Sequence, residues 1–183
     1  MPYNSANAVS FAQRQSQRYG DGECWTLVED SIVRAGGKSS RILTPNFGPN
    51  SSYVWGTPLA LTALQPGDAL QFLNYSWTET TSVDVTNPDG SGGTNETTQT
   101  EARGLPNHSA LVVRVISSGI VEAIEQNIPP RTGPVQTTRL VLIAPPDSTT
   151  TTREPRGTGF VVTVTTVTHS VSGVVRGYRP ISA

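Results

Sequence analysis

Apolar positions at Cys24, Leu27, Val28, Ile32 and Ala35 recur with helical spacing, which predicts a helix N-capped by Asp21 and ended by Gly36-Gly37, with one face buried. The polar stretch 4–18 before it carries Ala6, Val9, Phe11 and Ala12 and reads as a first helix, broken at Tyr19-Gly20-Asp21-Gly22. Residues 38–67, rich in Ser, Pro, Asn and Gly, read as an ordered loop that packs through Tyr53-Val54-Trp55. The turn Leu64-Gln65-Pro66-Gly67-Asp68 leads into a short strand at 69–73. Residues 109–116 and 120–126, joined by Ser117-Ser118-Gly119, form the clearest hairpin pattern, and 139–143, 160–167 and 174–178 are further strands. Two stretches lack an apolar pattern. Residues 78–104 read as a flexible insertion, and the Pro- and Thr-rich 144–157, with Thr149-Thr150-Thr151-Thr152, as a solvated loop. Helices followed by a meandering sheet predict an α+β fold, in a single domain over 1–183.

Composition narrows the function classes. A chain of 183 residues suits one domain at about one per 150 residues. The formal charge is −1 and Lys38 is the one lysine, so the basic surface of a nucleic-acid binder is not expected. Arg131, Arg139, Arg153 and Arg156 read as isolated surface charges. No apolar run is long enough to span a membrane, and residues 1–19 contain no Sec-type signal. Glycosylation acceptor patterns stand at Asn50, Asn74, Asn95 and Asn107, the last beside a candidate catalytic histidine. The expected setting is therefore cytoplasmic or bacterial, or export by a route other than Sec. The chain is expected to act as a monomer without cofactor or metal.

The single cysteine, Cys24, excludes an internal disulfide and a multi-cysteine zinc site. Opening a helix, its sulfur meets backbone N–H groups and the positive end of the helix dipole, which favour thiolate, although a lone cysteine is also a common packing residue. A nucleophile needs a base. His108 opens the apolar strand 109–116, whereas His169 lies at a Thr- and Val-rich strand end with no flanking signal. On the partner strand, a period of two puts Glu125 and Asn127 on one face and Gln126 on the other, so either Glu125 or Asn127 orients the imidazole. Glu23, Trp25 and Trp55 are the candidate substrate contacts, though large aromatics also pack.

These residues resemble the papain-like cysteine peptidases and amidases, in particular the CHAP and NlpC/P60 families. Gly22-Glu23-Cys24-Trp25 is similar to their cysteine box, Leu64-Gln65-Pro66-Gly67-Asp68 to the L-x-P-G-D turn, His108-Ser109-Ala110-Leu111-Val112 to the histidine strand, and Glu125-x-Asn127 to the E-x-N pair. The resemblance implies a papain-like fold and cleavage of amide bonds in peptides or peptidoglycan. It makes Cys24 the nucleophile, His108 the base and Glu125 or Asn127 the third member. Glu23 departs from the usual glutamine, and the second oxyanion donor is unassigned, with Gln17 and Tyr19 as loose candidates. A weaker likeness, over residues 20–29, is to the cysteine-proteinase-fold domain of some fungal actin-patch adaptors. It implies an intracellular peptide- or protein-binding module without turnover.

Overall fold

A computed structural model describes residues 2–128 and 133–183, which leaves Arg131 outside the described residues. The expected α+β, papain-like architecture is not found. Strands hold 52% of the residues and helices 15%, in a mostly antiparallel, β-rich fold. The difference arises in the two stretches without apolar pattern. Residues 78–86 and 92–104 belong to strands β2 (Ala69–Thr86) and β3 (Gly92–Ser117), and the threonine run lies in β6 (Ser148–Arg156). Thr and Val favour extended backbone, and pairing of the backbone holds a strand whose side chains remain wet.

The chain divides into two compact units and passes between them inside β2, β3 and β7 (Gly159–Arg179). One comprises residues up to Ser76, Ala102–Ile143 and Ser172–Ala183, the other Trp77–Glu101 and Ala144–Val171.

In the first unit, α1 (Ser5–Gln13) starts where the Asn4 side chain accepts the Asn7 N–H, and α2 (Cys24–Arg34) follows. Ala8 and Ala12 of α1 and Leu27, Val28 and Ile32 of α2 are fully buried, as the helical spacing of these positions requires. Each of the larger side chains contributes about 1.5–3 kcal/mol by leaving water. The third helix, α3 (Ser40–Leu43), is a single turn. The sheet here runs β1 (Thr57–Leu59), β7, β2, β3, β4 (Ile120–Glu125), β5 (Gln136–Val141). The expected hairpin is β3 with β4, paired antiparallel from Leu111 opposite Ile124 to Ser117 opposite Ile120.

The second unit is a sheet in the order β6-β7-β2-β3, with β6 and β7 paired from Ser148 opposite Val167 to Arg156 opposite Gly159. Thr78 and Thr80 of β2 bond Thr100 and Thr98 of β3 through their hydroxyls. His169 Nε2 lies 3.2 Å from Glu79 Oε2. Among the described residues, no helix is long and apolar enough to cross a membrane.

Candidate active site

Cys24 is the first residue of α2 and is partly exposed. Glu23, before it, provides no side-chain cap, and the first N–H groups of a helix have no acceptor within it. Asp21 is not the N-cap. Its Oδ1 instead accepts the Glu23 N–H at 3.0 Å and the Thr26 hydroxyl at 2.6 Å, closing the turn that delivers the cysteine. That turn needs a left-handed residue at Gly22 (φ 88), where a Cβ would come within 1.8 Å of Arg18 Nε.

A second lock comes from Gln126, which is fully buried. Its Oε1 accepts the Tyr19 N–H at 2.9 Å, while its Nε2 donates to the carbonyls of Tyr19 (3.1 Å) and Glu23 (2.7 Å). The end of β4 thereby holds both sides of the turn before Cys24. Sequence reasoning missed this residue; the one available sign was that strand alternation turned it away from Glu125.

His108 is buried on β3, where its Nε2 lies 2.7 Å from Glu125 Oε2, and it lines the same cleft as Cys24. With Nε2 engaged, Nδ1 is the nitrogen left for the thiol. Burial alone pushes the imidazole toward its neutral form. The hydrogen bonds to Cys24 and Glu125, and the negative charge of both, outweigh burial and raise its pKa from 6.5 to about 9.

Glu125 is fully buried, and burial alone would raise its pKa; His108 and then Arg103 more than offset this, so it titrates below the ordinary carboxylate range. Arg103, 5% exposed, donates from Nε to both carboxylate oxygens at 3.0 Å and from the guanidinium's far nitrogen to Oε1 at 2.9 Å. His108, Glu125 and Arg103 thus form a continuous polar chain that ends beside Cys24 in the cleft. Arg103 lies in the polar stretch read as an insertion, where no motif marked it. Four residues separate it from His108 on β3, and the strand bends between them at Gly104 (φ 72), where a Cβ would meet His108 N at 2.9 Å.

Asn127 does not orient His108. Strand β4 ends at Glu125, so the alternation does not reach Asn127, which takes a left-handed conformation (φ 61) and donates from Nδ2 to Glu23 Oε2 at 3.2 Å. A cleft of about 540 Å³ opens over the pair; Cys24, His108, Glu23, Trp25 and Asn127 all line it. Trp25 is fixed by its indole N–H on Ser40 Oγ (2.8 Å) and by the Arg41 guanidinium 4.5 Å from its ring centre. Trp55 is not a cleft residue: it is 1% exposed and bonds Gln71 Oε1 in the core. Gln17 and Tyr19 also lie outside the cleft lining, and the Tyr19 hydroxyl donates to Asp30 (2.6 Å). No cluster of three metal-ligating side chains occurs among the described residues.

No family model matches the chain, and no curated protein or solved structure matches it significantly.

Proposed function

We propose that the protein is a cysteine hydrolase that cleaves amide bonds, with Cys24 as nucleophile, His108 as general base and acid, and Glu125 as the residue that orients His108. The observation that carries this reading is a buried imidazole bonded to Glu125 that lines the same cleft as a cysteine at a helix start. Packing alone gives no reason for a buried, carboxylate-bonded histidine to line the same cleft as the cysteine.

In the reaction, Cys24 Sγ attacks the amide carbonyl carbon and the carbonyl π electrons move to oxygen. The N–H of Cys24, at the uncapped helix start, is placed to donate to that oxyanion. His108 gives its proton to the departing amine as the C–N bond breaks, leaving a thioester. Water then attacks the thioester, His108 takes its proton, and the thiolate leaves. Glu125 keeps Nε2 protonated and the ring aimed, and Arg103 holds Glu125 anionic. Trp25 and Glu23 are the substrate contacts. The sequence resemblance makes peptides and peptidoglycan stem peptides the first substrates to test.

The test is the rate of Cys24 alkylation by iodoacetamide across pH, in wild type and His108→Ala, followed by turnover of such peptides. Wild type is expected to react already at about pH 5–6, the variant only near the free thiol value of about 8.5. Loss of either Cys24 or His108 should lower turnover by about 10⁴ or more. Identical alkylation profiles in the two proteins refute the catalytic pair. A normal pair without turnover favours a peptide-binding module, whose partner affinity Cys24→Ala would leave intact.

A further inference from the structure

The second unit carries two sheet edges that are complementary to each other. In the order β6-β7-β2-β3 the outer strands have one hydrogen-bonded neighbour each among the described residues, since β4 pairs with β3 only beyond residue 110. All of β6 is exposed, and so are residues 92–100 of β3. An open edge presents a row of N–H and C=O groups ready to accept another strand.

The side chains at these edges are in phase. Thr149 stands opposite Thr166, and opposed residues of antiparallel strands share a face. The His169 to Glu79 bond puts odd positions of β7 and of β2 on one side and even positions on the other. The Thr78–Thr100 and Thr80–Thr98 pairs extend the even side to β3. Thr149, Thr151 and Arg153 at one edge therefore face the same way as Thr100, Thr98 and Glu96 at the other. Strand direction alternates across the sheet, so β6 of one copy meets β3 of a second copy antiparallel. The register that sets Arg153 opposite Glu96 also sets Thr151 opposite Thr98 and Thr149 opposite Thr100. It continues a threonine ladder whose hydroxyls within the chain lie 3.1–3.4 Å apart. Neither Arg153 nor Glu96 has an ion-pair partner among the described residues.

We propose that copies of this chain associate head to tail, the β6 edge of one pairing with residues 92–101 of β3 of the next in the Arg153–Glu96 register. Such an interface uses two different surfaces and builds rings or open filaments. Backbone bonds hold the strands together, and the charge pair and threonine ladder select the register.

Sedimentation velocity and light scattering of the full chain over a concentration series test this. The expected mass exceeds 19.5 kDa and grows with concentration. Arg153→Glu and Glu96→Arg each place like charges at the interface and should weaken association by about tenfold. Mixing the two variants, or combining both changes in one chain, should restore it, with Cys24 alkylation unchanged throughout. In a Cys24→Ser background, Thr98→Cys with Thr151→Cys should oxidise to disulfide-linked multimers, since opposed strand positions lie within disulfide reach. A monomer at every concentration overturns the proposal. So do single reversals that associate like wild type, or a mixture that fails to recover.

Discussion

The two units handle polar side chains in opposite ways. Around Cys24, Arg103, His108, Glu125 and Gln126 are buried, and hydrogen bonds satisfy them in a connected chain. In the second unit, β6 lies wholly in water, and exposed threonine hydroxyls meet in weak cross-strand pairs. A buried polar group must keep its partner or bear the full cost of lost solvation, whereas an exposed one returns to water at little cost. The same type of contact is therefore worth several kcal/mol in one unit and tenths in the other.

The most severe way to break this contrast is Glu125→Ala, which removes the buried carboxylate that both Arg103 and His108 engage. A loss of about 3–5 kcal/mol is expected in urea unfolding of the full chain, beside the loss of turnover. A value near that of an exposed pair would show that water reaches the site and that the burial argument is wrong. Arg103→Gln is milder, since Glu125 keeps His108. It should cost about 1.5–3 kcal/mol and slow alkylation and turnover without abolishing them, and Arg103→Lys should recover part of both.

The pH dependence follows from the same groups. His108 titrates higher in the folded chain, so its stabilisation is complete below 6.5 and is lost as pH rises through about 9. Glu125 titrates lower, so its stabilisation is complete above 4.5 and fades as pH falls through its folded value. Unfolding measured across pH should show a maximum between about 4.5 and 6.5 for these groups. His108→Ala should flatten the alkaline side. An unchanged slope there would assign the titration to another residue.

The same contrast explains what was legible in the sequence. The spacing of Leu27, Val28 and Ile32 revealed the buried helix face, and the apolar run before Val112 revealed the histidine strand, because burial leaves an apolar pattern. Cys24, His108, Glu125 and Asn127 stood out as candidates because nucleophile and base chemistry restricts residue types, and the structure brings His108 against Glu125. Arg103 and Gln126 were not, since a buried polar residue looks like a surface one until its partner is placed. The α+β expectation failed for a related reason. Strands at 78–86, 92–102 and 148–156 bury little, so their pattern of Thr, Glu and Ser resembles a loop, and only backbone pairing reveals the sheet. Trp55 misled in the opposite direction, since its size suggested a groove but its ring belongs to the core.

The smallest effect is the sharpest test of the second unit. Thr80 and Thr98 share a hydroxyl contact of 3.1 Å at the exposed face. Thr80→Ala removes that contact and a β-branched side chain, and should cost about 0.2–1 kcal/mol, while leaving Cys24 alkylation untouched. Thr80→Val keeps the branched shape and removes only the hydroxyl. If the ladder acts through strand shape, valine restores the stability that alanine loses. If the hydroxyls themselves carry it, valine and alanine are equally destabilised. A loss of several kcal/mol in either variant would mean that this face is buried in solution. It would thereby erase the contrast between the two units and point to a covering partner on the face.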